Sequence, residues 1–129
     1  MRTIVISMQN NLLSGAIVKY LTERGELMPE RILDHSNKNE PYASCEALNA
    51  GVLLMDISRL PYFTLNKRLE TAKRIRERLP KCKIALLCDE NADPDIAEKV
   101  KDAKMMGLID GFFYSSVTGE YISAALDAL

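Results

Sequence analysis

The sequence predicts an α/β domain in which a parallel five-stranded sheet is covered by helices on both faces. Short apolar runs, typical of strands buried on both sides, alternate along the chain with longer segments whose apolar residues recur at helical spacing. Each connection between strands is long enough for the crossover helix that parallel strands require. The 129 residues suit one hydrophobic core, so we expect residues 1–129 to form a single domain.

The first half of the chain supplies two strands and two helices. Residues 3–6 form an apolar run that predicts strand one. The helix that follows has its apolar stripe at Leu13, Ile17, Tyr20 and Leu21. Gly25 stands where a left-handed cap would end this helix. We predict a short second strand near the sheet edge at residues 31–34, then a short helix over Tyr42–Leu48, because Pro41 suits a first helical turn.

The second half continues the alternation with three more strands and three more helices. The apolar run 51–56 ends in a single carboxylate, Asp56. A helix after Pro61 has its apolar stripe at Leu65, Leu69, Ala72, Ile75 and Leu79. We interpret its Lys- and Arg-rich face, which includes Arg68, as a solvated surface rather than a nucleic-acid-binding one. Strands at 84–87 and 108–114 follow, with helices that begin at Asp93-Pro94 and near Thr118.

The composition excludes several classes of function. The net charge of −1 gives no general attraction to nucleic acids or membranes, and no apolar run reaches the roughly 20 residues of a membrane span. The cysteines Cys45, Cys82 and Cys88 form no CxxC pair, and with His35 as the single histidine a zinc site is not expected. Residues 1–20 lack the pattern of a signal peptide, so we expect a cytoplasmic protein with reduced thiols.

Candidate site residues follow the strands, at the edge where open parallel sheets bind their ligands. They are Met8, Gln9 and Asn10 after strand one, Asp56 at the end of strand three, Cys88 and Asp89 after strand four, and Ser115 and Ser116 after strand five.

This organisation resembles the receiver domain of bacterial two-component response regulators. The resemblance covers the whole chain and is carried by residues 52–56, by the helix 70–79 that runs through Pro80 into strand 84–87, and by residues 111–113. It implies a doubly wound, flavodoxin-like (βα)₅ fold with strand order 2-1-3-4-5 and right-handed crossovers. Helices one and five would cover one face, and helices two, three and four the other.

The resemblance also implies that Asp56 stands at the position of the phosphoryl-accepting aspartate. In that family an acidic pair after strand one helps to hold Mg²⁺, a Thr or Ser after strand four contacts the phosphoryl group, and a Lys-Pro follows strand five. Here Met8 and Gln9 replace the acidic pair, so Mg²⁺ would have Asp56 alone among the matching positions. We therefore expect no metal site and no stable phosphorylation by small phosphodonors.

Other matching positions depart from the family pattern as well. Cys88 replaces the Thr or Ser, and a thiol is a weaker hydrogen-bond donor than a hydroxyl. Ser115-Ser116 replaces Lys-Pro, so the cation is missing and we expect a trans peptide bond, since a non-proline cis bond costs about 2.5–4 kcal/mol. Asp89 adds a negative charge where a small residue is usual, and Pro61 lies one residue farther from Asp56 than in the family.

We interpret the chain as an atypical receiver-like signalling domain, not an enzyme, that acts through a protein partner or output domain without Mg²⁺-dependent phosphoryl transfer to Asp56. No nucleic-acid or membrane partner is expected for this chain, and it could pair with a second copy through helix four, strand five and helix five. Two alternatives stay open. One is a functional phosphoacceptor with a rearranged metal site. The other is a module for a nucleotide- or flavin-like ligand, since the polar loop 7–15 is similar to a flavodoxin phosphate loop.

Overall fold

Five strands and five helices alternate along the chain in the computed structural model, which describes all residues from Met1 to Leu129. In chain order they are β1 (Arg2–Ser7), α1 (Asn11–Arg24), β2 (Leu27–Arg31), α2 (Tyr42–Leu48), β3 (Val52–Asp56), α3 (Leu65–Arg78), β4 (Lys83–Cys88), α4 (Pro94–Met105), β5 (Gly111–Tyr114) and α5 (Gly119–Asp127). No helix is both long enough and apolar enough to cross a membrane.

The strands form one parallel sheet in the order β2-β1-β3-β4-β5, which confirms the predicted topology. β3 is the central strand, and all five of its residues are buried. Its last residue, Asp56, pairs in register with Leu87 of β4, and Met55 pairs with Ser7 of β1. The carboxyl ends of β1, β3 and β4 therefore lie side by side, with Asp56 between the other two.

Each face of the sheet has its own hydrophobic core, because successive strand residues point to opposite faces. Ile4, Ile6, Leu54 and their neighbours pack against α1 and α5. Val5, Leu53, Met55 and their neighbours pack against α2, α3 and α4. This division of the helices confirms the distribution that the resemblance implies.

Side-chain caps fix where the helices begin. The side chains of Asn10, Thr64, Asp93 and Thr118 each accept a hydrogen bond from a backbone N–H three residues later. The predicted starts at Asp93 and Thr118 are thus confirmed. Gly25 ends α1 with a φ of 74°, the left-handed conformation that the sequence predicts there, and its N–H donates to Leu21.

The prediction for the second strand is wrong by several residues. It was placed at residues 31–34, but β2 spans Leu27–Arg31 and pairs only with β1. Pro29 lies within it, opposite Ile4. A proline has no backbone N–H to donate to a neighbouring strand. It is accepted within β2 because β2 lies at the edge of the sheet and has a neighbouring strand on one side only.

Candidate functional site

A cleft of about 960 Å³ opens at the carboxyl edge of the sheet, above the ends of β1, β3, β4 and β5. Its lining includes Gln9, Asp56, Arg59, Asp89, Asp93 and Ser115, with apolar residues between them. This is the position at which open parallel sheets bind ligands. Of the sequence-predicted site residues, Gln9, Asp56, Asp89 and Ser115 line the cleft, together with Asn10.

Asp56 lies at the floor of the cleft and is only 5% exposed. Its Oδ2 accepts hydrogen bonds from the backbone N–H groups of Gln9, at 2.8 Å, and Asn10, at 3.2 Å. These two residues precede α1, so the carboxylate faces the N–H groups and positive dipole at the start of that helix. One of the two carboxylate oxygens is therefore already occupied by the protein's own backbone.

The other oxygen of Asp56 faces a buried arginine that comes from the first turns of α3. The Arg68 side chain is 3% exposed, and its Nη2 lies 3.5 Å from Asp56 Oδ1. Its Nε also donates to the backbone oxygen of Asp56 at 2.8 Å, and Nη1 and Nη2 donate to Oγ and the backbone oxygen of Ser7 at 3.0 and 2.9 Å. The guanidinium thus joins the ends of β1 and β3 and carries the positive charge nearest to Asp56.

The loop between β3 and α3 covers this arginine. Phe63 is buried, and the guanidinium carbon of Arg68 lies 4.9 Å from the centre of its ring, within the range of a cation–π interaction. The loop returns because Ser58 donates its N–H to Phe63 and Phe63 donates its N–H to Leu60. His35 contacts the outer side of the ring edge-on, with the ring centres 5.1 Å apart. Arg68 is therefore shielded from water as well as paired.

Burial has the largest effect on the pKa values of Asp56 and Arg68. It raises the pKa of the Asp56 carboxyl above its usual value, against the opposing effects of the Asn10 and Gln9 N–H groups and of Arg68. It lowers the pKa of Arg68 to about 10, while Asp56 acts in the other direction. Arg68 stays protonated at neutral pH, so the site holds a permanent cation.

Arg68 was predicted to lie on a solvated helix face, and this prediction is wrong. The signal that could have revealed its burial is its spacing. Arg68 is three residues after Leu65 and four before Ala72, so it lies on the same stripe as the buried residues of α3. A charged residue on an apolar stripe requires a buried partner. The carboxylate at the end of β3 was the available candidate.

Three of the candidate site residues, Met8, Cys88 and Ser116, do not line the cleft, and the first two are core residues. Met8 is 2% exposed and packs in the core formed with α1 and α5. Cys88 is buried in the core on the opposite face, where burial, Glu90 and Asp89 raise the pKa of its thiol to about 11. Both are strand or near-strand residues whose direction follows the alternation of the sheet, and that alternation points them into the cores.

The remaining positions lie at the open side of the cleft. Asp89 is exposed, and its Oδ1 accepts the N–H groups of Asn91 and Ala92 in a tight turn. Ser115 is half-buried, and its N–H donates to Cys88 at 2.9 Å. The Ser115–Ser116 peptide is trans, as predicted. No lysine lines this cleft.

The donor set of the cleft does not fit the Mg²⁺ ion that the fold family implies. No three acidic, histidine or cysteine side chains come together closely enough to hold a metal. Asp56 has its oxygens directed at backbone N–H groups and at the Arg68 guanidinium. A hard divalent cation needs several free oxygen ligands, and here it would also lie beside a buried positive charge.

Comparisons with known proteins identify the fold through structure alone. No protein-family model and no curated protein matches the sequence. Among solved structures, a DNA-binding response regulator of the LuxR family from Staphylococcus aureus is 20% identical, with a TM-score of 0.74 over 99% of this chain and 98% of that one. A response regulator receiver protein from Pseudomonas putida is 17% identical, with a TM-score of 0.72 over 99% and 97%.

A third solved structure is the response regulator TrrA from Thermotoga maritima in complex with Mg²⁺ and BeF. It is 18% identical, with a TM-score of 0.69 over 99% of this chain and 98% of that one. At these identities the likeness concerns the fold. The chain has the flavodoxin-like fold of response-regulator receiver domains.

Proposed function

We propose that the protein is a receiver-like signalling domain that acts by binding a protein partner or an output domain, and that Asp56 does not accept a phosphoryl group. The domain would serve as a regulator or adaptor rather than as an enzyme. Among proteins with this fold, the Staphylococcus aureus regulator binds DNA and another structure comes from a three-domain sensory box and GGDEF protein. An output domain or a separate partner protein is thus a reasonable target for this chain.

The burial of Arg68 against Asp56 is the observation that carries the proposal. A carboxylate that attacks phosphorus must have a free oxygen and must be relieved of charge repulsion by groups that bind the phosphoryl oxygens. Asp56 is instead 5% exposed and paired with an internal cation whose N–H groups are directed at Ser7 and Asp56. The guanidinium neutralises the carboxylate, but Phe63 lies over it and it does not line the cleft.

Incubation with acetyl phosphate and Mg²⁺, followed by intact mass spectrometry, tests this proposal. We expect the wild-type protein to keep its mass, whereas TrrA treated in parallel serves as a control receiver. Stoichiometric addition of one phosphoryl group that disappears in Asp56→Asn would contradict the proposal. Modification that persists in Asp56→Asn would point to another residue and would leave Asp56 without a role.

A redesigned variant tests whether the missing acidic pair and the missing lysine alone account for the expected lack of Mg²⁺ binding and phosphorylation. Because Met8 is a core residue, the carboxylates are best introduced at Gln9 and Asn10, which line the cleft, with Ser115→Lys on its other side. We expect this triple variant to bind Mg²⁺ weakly and to stay unphosphorylated, because Arg68 still pairs with Asp56. Adding Arg68→Met should raise Mg²⁺ affinity, measured by calorimetry. Equal affinity with and without Arg68 would show that the arginine is irrelevant to the site.

Pairing with a second copy is a specific form of the proposed partner binding. The surface of α4 carries both charge signs, at Asp95, Glu98, Lys99, Lys101, Asp102 and Lys104. Light scattering coupled to size exclusion should then give a dimer mass at low salt that falls in Lys101→Glu. A monomer mass at every concentration would contradict self-association. The proposed partner would then be a different protein.

The volume of the cleft supports a second candidate function, the binding of a small ligand. About 960 Å³ is within the range of ligand sites, and the lining mixes apolar residues with Asp89, Asp93 and Arg59. A flavin or nucleotide would raise the melting temperature of the wild-type protein. A thermal shift with FMN, ATP and NAD, repeated on Ile57→Trp to fill the cleft, tests this candidate directly.

A further inference from the structure

A second cavity, of about 440 Å³, lies beside α3 and shares no lining residue with the cleft. The β3–α3 loop separates the two, since residues 58–60 line the cleft and residues 61–63 line the second cavity. Its other wall is the loop between β2 and α2. We call it the α3 cavity, and its lining includes Ser7, His35, Lys38, Phe63, Lys67 and Arg68.

The most deeply buried residues of this lining, Ser7 and Arg68, have hydrogen-bond donors without an acceptor. An arginine side chain has five N–H groups, and those of Arg68 make four hydrogen bonds to Asp56 and Ser7, which leaves one N–H of Nη1 unpaired. The Ser7 hydroxyl accepts from Nη1 at 3.0 Å, but its own hydrogen is donated to no acceptor. Both residues are 3% exposed. Buried donors are normally paired, so an oxygen in the cavity is the partner they lack.

The charge of the lining favours an anion as that partner. Three basic side chains line the α3 cavity, Lys38, Lys67 and Arg68, against the two carboxylates of Glu40 and Glu70. Lys67 and Glu70 pair with each other at 3.6 Å. Lys38 forms no ion pair, so its ammonium is free to meet a ligand. The cleft differs in sign, because its lining has three carboxylates and a single guanidinium.

From these observations we propose that the α3 cavity binds a small molecule with a single carboxylate group. The carboxylate oxygens would accept the Ser7 O–H and the unpaired N–H of Arg68, and Lys38 would meet the same charge from the other wall. One carboxylate matches the excess of one basic side chain in the lining, which a phosphate dianion would exceed. The volume is within the range of small-molecule sites.

The guanidinium of Arg68 is held in place before any ligand arrives. Asp56 and Ser7 fix its direction, and the Phe63 ring lies over it with His35 edge-on to that ring. A donor that is already fixed loses little conformational freedom on binding, and its surroundings exclude water that would weaken the bond. The inference does not rest on the proposed function, because it uses only the donors that Asp56 leaves free.

A ¹H–¹⁵N NMR titration of the full chain with acetate at pH 7, with chloride keeping the ionic strength constant, tests the site. Acetamide is the control probe, because it has the shape of acetate without the charge. We expect acetate to shift the signals of Ser7, Lys38 and the Arg68 side chain with a Kd in the millimolar range, and acetamide to shift none of them. Inorganic phosphate should bind more weakly than acetate.

Variants test the donors separately. Ser7→Ala removes a buried donor and should weaken acetate binding by about tenfold. Lys38→Met removes an exposed charge and should weaken it by about threefold. Lys73→Met is the matched control, because Lys73 is exposed on α3 but does not line the cavity, and it should bind acetate as the wild type does.

Four results would each overturn the inference. They are equal shifts with acetate and acetamide, acetate shifts centred on the cleft residues Arg59 and Asp89, tighter binding of phosphate than of acetate, and wild-type acetate affinity in Ser7→Ala. The wild-type titrations decide the matter even if Ser7→Ala fails to fold. Any of these results would leave the acetyl phosphate experiment on Asp56 unaffected, so the two proposals fail separately.

Discussion

The carboxyl edge of the sheet has two halves, which differ in how deeply their charged and polar side chains are buried. At the β1–β3 half, Asp56 and Arg68 are 5% and 3% exposed, and internal hydrogen bonds hold both. At the β4–β5 half, Asp89 is exposed and Ser115 half-buried, and both line an open cleft. The charges of the first half belong to the folded structure, whereas those of the second half are free to meet a solute or a partner.

This difference shows why retention of one aspartate does not imply retention of its chemistry. A carboxylate that switches a protein must exchange its partners for new ones. The partners of Asp56 are backbone N–H groups and a buried cation, so exchanging them would remove interactions that the fold uses. The charged groups of the closed half are held by internal partners, and the open half is the side on which recognition can take place.

The largest effect is expected from Arg68→Met. The substitution keeps much of the side-chain volume but leaves the Asp56 carboxylate buried without its cation, which typically costs about 3–5 kcal/mol. Urea unfolding at pH 7 measures the loss. Arg59→Met is the matched control, because Arg59 is exposed at the rim of the cleft and should change the free energy of unfolding by less than about 0.5 kcal/mol. Equal effects of the two substitutions would refute the difference between the halves.

A smaller loss is expected from Ser7→Ala. The Ser7 hydroxyl accepts a hydrogen bond from Arg68 Nη1 at 3.0 Å inside the closed half. Its removal leaves a buried charged donor without that acceptor, at a cost of about 1–3 kcal/mol. Ser116→Ala, at an exposed serine after β5, is the comparison. If both alanine variants unfold at the same urea concentration as wild type, the hydroxyl is not part of the network.

The pH dependence of stability distinguishes the carboxylate of the closed half from ordinary surface acids. Because burial raises the folded-state pKa of Asp56 above its unfolded value of about 3.9, its contribution to stability is complete below that value and is lost as the pH rises through the folded pKa. The stability of wild type relative to Asp56→Asn should therefore fall with rising pH from about 4 and then level off. Unfolding curves at several pH values measure it, and a rising difference would contradict the sign.

The smallest effects are expected in the open half. Asp89→Asn keeps an oxygen that can accept the N–H groups of Asn91 and Ala92, and Ser115→Ala removes a half-buried hydroxyl. Each should change the free energy of unfolding by less than about 0.5 kcal/mol. A loss above about 1 kcal/mol at either position would mean that the open half is also a structural network.

The fold could be predicted because it depends on local patterns. Helical stripes of apolar residues predicted α1 and α3, and Pro41 predicted the start of α2. The need for crossovers between parallel strands then constrains how the strands connect. The second strand was misplaced because Pro29 interrupts its pattern, and only the edge position, a tertiary fact, makes that proline acceptable.

The site was less predictable because it depends on side-chain direction. The alternation of side chains along a strand directs Met8 and Cys88 into the cores. An error of one residue in a predicted strand end would assign such a residue to the opposite face of the sheet. Arg68 was missed because charged helical residues are usually solvated. Its pairing with Asp56, 12 residues earlier, depends on how the β3–α3 loop returns.

A double-mutant cycle on Asp56 and Arg68 is the most direct test of the central claim, that these two side chains form one buried unit. Urea unfolding at pH 7 of Asp56→Asn, Arg68→Met and the double variant gives the coupling free energy. We expect the double variant to lose about 1–3 kcal/mol less than the sum of the two single losses, because neither charge is then left buried alone. Losses that add to within about 0.5 kcal/mol would contradict the claim.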